Sequence, residues 1–359
     1  MRIQELDALR GLAAFAVFLF HFQLFDYGYL GVHLFFIISG FVIFLTARNV
    51  KKPSDFVIAR FSRLYPTYWV CLFITFAVLY FGRGDVTFPQ LLYNLTMFQE
   101  FMGVENIDGA YWSLTEELVF YAVVFAALML GVVNKVRLWT GAMLAMALGG
   151  LFLDPELGGM QKYAQAVVKY FNLFAAGIIF YHIHLDQRLK PARVAGLILC
   201  LGIALMYGYG SYLPYFNHSI EIALICSFFA LFTLLVLGKL AFLRKYKWML
   251  FIGEISYPFY LLQQEIGLTF RRLFATDNIW VHIGLVAVIF VAITLLATIV
   301  NRTIEQNTSR VVKKKLQTWY NGRMGAPKAV VASAVAEAST KSIATENLTI
   351  KQAEKASAP

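Results

Sequence analysis

Ten stretches of the chain are apolar over lengths that match, or nearly match, the ~20 residues a helix needs to cross a hydrocarbon core. They run approximately over 8–25, 30–47, 66–82, 111–132, 137–153, 165–184, 192–210, 219–238, 248–270 and 280–300. None alternates with period two, so helices rather than a barrel must satisfy the backbone in lipid. Composition agrees: 59% of residues are hydrophobic and 14% charged, with mean hydropathy +0.65, where a soluble domain carries about 25% charged residues. The expected fold is all-α, a polytopic membrane helix bundle of about ten transmembrane helices over residues 1–306. Residues 307–359 are expected to form a cytoplasmic, unstructured tail, since from 322 onward the chain lacks aromatics and is rich in Ala, Ser, Lys and Glu. The first apolar stretch is followed by "QLFDYGYL" rather than a small-residue cleavage site, so it reads as a retained helix.

Orientation follows from the basic residues. With a cytoplasmic N-terminus, the inside segments carry twenty-one Lys and Arg and the outside loops five, namely Arg83, Lys162, Lys169, Arg271 and Arg272. The positive-inside rule therefore places both termini in the cytoplasm. The net charge of +10 is then topology and attraction to anionic membrane lipids rather than a signal for nucleic acid. Cys71, Cys200 and Cys226 all fall in apolar stretches and suggest no disulfide framework.

Polar groups inside such helices are the places to look for chemistry. Arg10 and His21 are eleven residues apart, about 20° past three full turns, so they share a face and stand about 16 Å apart along the axis. On the expected topology His21 lies in the outer half of the membrane. Glu117, on a helix running inward from "YWSLTEELVFY", lies about 9 Å below the outer face, and Gln263 comes to a similar depth. Three polar side chains at one level read either as interhelical hydrogen bonds or as a polar site, and an arginine below on the histidine's face favours the site.

The stretch "ARNVKKPSDFVIARFSRLYPTYW" puts Arg60 and Arg63 three apart on one helical face, ahead of Pro66 at the start of the third span. They are either positive-inside flanking charges or an anion site, guanidinium forks being suited to phosphate oxygens. "YHIHLDQR" brings His182, His184 and Asp186 near a helix end but lacks the i, i+4 spacing of a helical metal site, so no metal is expected. Ser39 and Ser113 have no G-x-S-x-G context, and no Walker or dinucleotide fingerprint occurs.

Six stretches then occur in order: "LDALRGLAAFAVFLFH", "GYLGVHLFFIISGF", "FVIARFSRLYPTYW", "YWSLTEELVFY", "FNLFAAGIIFY" and "GEISYPFYLLQQ". Their set, spanning about residues 4–306, resembles the acyltransferase-3 family of membrane O-acyltransferases. The resemblance implies a ten-helix enzyme of the bacterial inner membrane. It would take an acyl group, usually acetyl, from cytoplasmic acyl-coenzyme A to a hydroxyl of a lipid-linked or exported carbohydrate. Family motif positions fall on Arg10, His21, Ser39, Gly40, Arg60, Arg63, Trp112, Ser113 and Glu117, with Glu116 one position ahead of the family's usual Glu. The chain departs at His33, where the family often has Asp, and at Gln263, where it commonly has His.

The resemblance implies that Arg10, Arg60 and Arg63 hold the donor's phosphates while its pantetheine arm rises to His21. His21 would be the base, neutral imidazole suiting a hydroxyl near pH 7, with Glu117 orienting it. Ser39, Trp112, Ser113, Gln263 and His33 would bind substrate or support the site, and a covalent acyl-histidine stays open. Two other classes compete: a secondary transporter or flippase with a polar site at that level, and a non-catalytic sensor or scaffold. Coenzyme A binding separates the enzyme from both.

Overall fold

The computed structural model describes residues 3–47, 50, 52–153, 165, 167–210, 213, 216–274 and 278–324, which are helical or looped and contain no strand. Helices α1 (Gln4–His21), α2 (Gly31–Ala47), α3 (Pro53–Gly82), the short α4 (Phe88–Asn94), α5 (Trp112–Met129) and α6 (Val136–Gly150) form the first half. The second comprises α7 (Phe171–Asp186), α8 (Pro191–Met206), α9 (His218–Val236), α10 (Lys247–Glu254), α11 (Ser256–Leu262), α12 (Glu265–Leu273) and α13 (Ile279–Val300). A π-helical stretch, Asn301–Thr308, then leads into α14 (Ser309–Met324).

Five helical runs among the described residues are long and apolar enough to cross a membrane: Gly28–Ala47, Pro53–Gly82, Gly109–Met129, His218–Val236 and Ile279–Gly322. They coincide, within three residues at the ends of 111–132 and 219–238, with five of the ten expected stretches. The other five differ for visible reasons. Helix α1 carries Glu5, Asp7 and Arg10, while α6, α7 and α8 have 15, 16 and 16 residues. The expected crossing at 248–270 is broken into α10, α11 and α12. Pro258 lies in the broken stretch and offers no backbone N–H, and Gln264 takes φ −77°, ψ −74° where α12 begins.

The third span is also longer than expected. Pro66 sits inside α3 rather than at its start, and the helix begins at Pro53. Thirty residues extend about 45 Å, so Arg60 and Arg63 belong to the same rigid rod as the apolar span. At the other end, the boundary expected at 306 falls within the π-helical stretch, and α14 continues to Met324; residues 325–359 lie outside the described residues.

Two close helix crossings hold the centre together. A Cβ on Gly40 of α2 would come within 2.1 Å of the Phe174 carbonyl oxygen, and one on Gly177 of α7 within 2.1 Å of that of Ile37. Likewise a Cβ on Gly11 of α1 would meet the Met249 carbonyl oxygen at 2.0 Å, and one on Gly253 that of Asp7 at 1.8 Å. Glycine at each contact lets backbones touch, the usual device of helix pairs in lipid. Helix α1 is thereby clamped to α10, and α2 to α7, while α1 and α2 also meet closely, a Cβ on Gly31 coming within 2.5 Å of the Ala13 carbonyl oxygen.

Candidate active site

Helix α5 presents Ser113, Glu117 and Tyr121 at intervals of four, hence on one face. That face lines a cavity of about 580 Å³, within the range of small-molecule sites. Asp7 and Arg10 enter it from α1, Ser39 from α2, and Arg60 and Arg63 from α3. Gly253, Tyr257 and Tyr260 come from the broken segment, and Asn301, Glu305, Gln306 and Arg310 from the stretch after α13. Four arginines thus share one space with four carboxylates, Asp7, Glu117, Glu254 and Glu305.

The hydrogen bonds show which groups are already engaged. Glu117 Oε1 accepts from Ser39 Oγ at 2.8 Å and from the Tyr121 hydroxyl. Arg10 stands 3.7 Å from Asp7, one turn away on α1. Arg60, buried to 8% exposure, donates through Nη2 to Thr46 Oγ1 at 2.8 Å. Its guanidinium carbon lies 5.6 Å from the centre of the Phe56 ring and 5.8 Å from that of Tyr121. Its Nε and Nη1 have no hydrogen-bond partner among the described residues. A buried guanidinium with idle donors suits an incoming anion, because unmade charged hydrogen bonds are costly. Asn301 bridges the Glu254 carbonyl and Glu305, and Gln306 joins Glu254 to Asn301, tying the π-helical stretch to α10.

His21 lines a second, smaller cavity of about 220 Å³, with His33, Trp112, Lys169, Tyr29, Tyr170, Tyr209 and Gln264. Val32 and Tyr260 line both cavities. The Tyr260 and Ser113 hydroxyls are 2.9 Å apart, and each reaches the Ala110 carbonyl at 3.1 Å. Tyr260 therefore stands in the wall between the arginines and His21.

The structure thus brings Arg10, Arg60, Arg63, Ser39, Ser113 and Glu117 together, and separately His21, His33 and Trp112. It does not bring His21 to Glu117: the carboxylate holds Ser39 and Tyr121, and Val32 and Tyr260 stand in the wall between the two spaces. Gln263 joins neither. It is wholly buried with neither amide atom hydrogen-bonded among the described residues, and because the helix breaks after it, Gln264 lines the smaller cavity instead. Glu116 is buried outside both.

Among the described residues no cluster of metal-ligating side chains occurs. His182 and His184 pack on Phe44 and Phe41, and Asp186 is taken by Arg193 at 2.6 and 2.9 Å. Sequence reasoning missed Tyr121, Tyr260, Lys169, Glu305 and Arg310. The spacing of Tyr121 four residues after Glu117 was a usable signal. Glu305 lay beside the boundary of the expected domain, and Arg310 in the expected tail.

A family described as an acyltransferase domain matches residues 3–302. BcsY of Komagataeibacter xylinus, named as a membrane-bound transacylase, is 28% identical over 231 residues, 59% of this chain and 59% of its own length. The exopolysaccharide production protein ExoZ of Rhizobium meliloti (strain 1021) is 26% identical over 195 residues, 50% of this chain and 58% of its own. ORF330 of Acidianus two-tailed virus, named as an acetyltransferase, is 26% identical over 282 residues, 72% of this chain and 82% of its own. The chain thus spans less than two thirds of the length of BcsY and ExoZ. No solved structure gives a significant match.

Proposed function

The chain belongs to the acyltransferase-3 family, and from that premise we propose that it moves an acyl group, acetyl first, from cytoplasmic acyl-coenzyme A to a carbohydrate hydroxyl across the membrane. In this reading the protein is a multi-pass protein of the bacterial inner membrane with ten crossings and both termini cytoplasmic, an orientation supported by the twenty-one to five bias of basic residues that this topology gives. A carbohydrate acceptor is supported by the name of ExoZ, and an acetyl donor by that of ORF330.

One observation carries the reading. A single cavity gathers Arg10, Arg60, Arg63 and Arg310, two of the Arg60 nitrogens idle, and shares Tyr260 with a smaller space that holds His21. The arginines bind the donor's phosphates, and the acyl end reaches His21 past Tyr260. His21 removes the proton of the acceptor hydroxyl as its oxygen attacks the thioester carbon. The carbon–sulfur bond then breaks, and His21 returns the proton to the departing thiolate. Glu117, held by Ser39 and Tyr121, shares the cavity with the arginines and supports their arrangement rather than that of His21.

Arg60→Ala with Arg63→Ala is the test. Losing one charged hydrogen-bond partner is worth about 1.5–3 kcal/mol, so acyl-coenzyme A binding to the purified protein should weaken by at least roughly 10- to 100-fold while the protein stays folded. Unchanged binding would reduce both arginines to topology signals.

A further inference from the structure

The smaller cavity contains a cation, Lys169, that no ion pair holds among the described residues. Lys169 lies just before α7, where the positive end of that helix dipole adds to its charge. Its ammonium is 4.9 Å from the ring centre of Tyr209, 5.9 Å from that of Tyr170 and 6.0 Å from that of Tyr207. Ring faces attract a cation but accept none of the three N–H bonds an ammonium offers, and no ion pair to Lys169 forms among the described residues.

The carboxylates that act on it from a distance are Glu221 and Glu116. Glu221 Oε1 is held by the Tyr29 hydroxyl at 3.2 Å and the Gly210 N–H at 3.1 Å, with His218 3.7 Å from Oε2. Glu116 is buried outside the cavity. Trp112, Tyr170 and Tyr209 line the same space, Tyr170 being stacked on Tyr209 and tilted against Trp112 with ring centres 5.4 Å apart in each pair. A wall of aromatic rings beside a polar base suits a sugar; an ammonium suits a negative group on that sugar.

We propose that this cavity binds an anionic carbohydrate, with Lys169 donating to its carboxylate or phosphate. The proposal rests on the reading of the cavity as the acceptor site, and it names the acceptor's chemical class. Charge on the sugar would fix its register, so that one hydroxyl faces His21.

Binding of four probes to the purified full chain in non-ionic detergent, at fixed ionic strength and without added lipid, tests it. Methyl glucuronide supplies a carboxylate, glucose 1-phosphate a phosphate, methyl glucoside neither, and inorganic phosphate the bare anion. At least one charged sugar should bind about 10-fold tighter than methyl glucoside, the worth of one charge-assisted hydrogen bond. The stronger of the two says which anion is read. Lys169→Met should bring that preference to about one with methyl glucoside unchanged, and Lys169→Arg should keep it. Equal affinities, no sugar binding, or a preference that survives Lys169→Met overturns the proposal. So does inorganic phosphate binding as tightly as the best charged sugar. Acyl-coenzyme A binding, read in the same preparations, judges the enzyme reading separately.

Discussion

Glu117 and His21 have different neighbours, and the proposed mechanism gives them different work. Two hydroxyls donate to one oxygen of Glu117, which anchors it in the cavity of the arginines. No such bond to the His21 ring forms among the described residues, and the ring faces a cavity beside Tyr29 and Phe20. His21→Gln should therefore abolish acyl transfer by at least the 10²–10⁴-fold that proton transfer usually supplies, with acyl-coenzyme A binding kept. The amide has similar reach to imidazole but takes no proton near neutral pH. Glu117→Gln should instead weaken donor binding as well as turnover, since its charge sits with the arginines. Turnover with a supplied acceptor, measured beside donor affinity, checks both; a His21→Gln protein that turns over normally removes the base from the mechanism. At this scale the sequence was informative about which residues matter and silent about which of them meet. Eleven-residue spacing correctly puts Arg10 and His21 along one helix, but the wall made by Val32 and Tyr260 comes from two other helices and leaves no local trace.

Elements break where the sequence pattern looks continuous, and those breaks are tied down by buried polar groups. Asp108, wholly buried, accepts the Ala110 N–H at 2.9 Å and the Glu265 N–H at 3.0 Å, joining the turn before α5 to the start of α12. Glu265 in turn pairs with Arg83 at 2.6 Å, just past the end of α3. Burial pushes the Asp108 carboxyl up to about 7. Its value in the unfolded chain is near 3.9, so between those limits the folded protein holds a proton that the unfolded chain has released. Stability should fall as pH rises from about 4 to 7 and level off above. Asp108→Asn carries no such proton and should flatten that part of the profile, with a constant loss of about 1–3 kcal/mol because an amide accepts only one of the two N–H bonds. Melting temperatures in detergent across that range decide it; an unchanged slope assigns the pH dependence to another group. Hydropathy could not foresee this arrangement. The stretch 248–270 reads as one span because Ile, Leu and Phe dominate it, whereas the three helices there are set by Pro258 and by what Asp108 holds from another part of the chain.

At the scale of the whole molecule, the proposal needs the arginine cavity to open toward the cytoplasm and the His21 cavity toward the opposite face. Length and apolarity identify five spans among the described residues; in the proposed topology α1, α6, α7, α8 and the broken segment cross as well, and on that topology the basic residues partition twenty-one to five. Helix α1 can cross despite Glu5, Asp7 and Arg10 because its charges are used by the protein: Glu5 pairs with Arg244 at 2.7 Å and Asp7 lies beside Arg10, so few face lipid. Paired reporter fusions in a bacterial host make the prediction concrete. A fusion after Gly28 should report the periplasm, and one after Lys315 the cytoplasm, because Arg302, Arg310 and Lys313 to Lys315 would otherwise have to be translocated. Single cysteines offer an independent reading: with the native thiols removed, one placed at Lys169 should react with a membrane-impermeant reagent in intact cells, and one at Arg310 only after lysis. A cytoplasmic signal at Gly28 would put His21 on the donor's side of the membrane. The cavity that holds it could then not receive an exported sugar, and the transfer would have to run within one compartment.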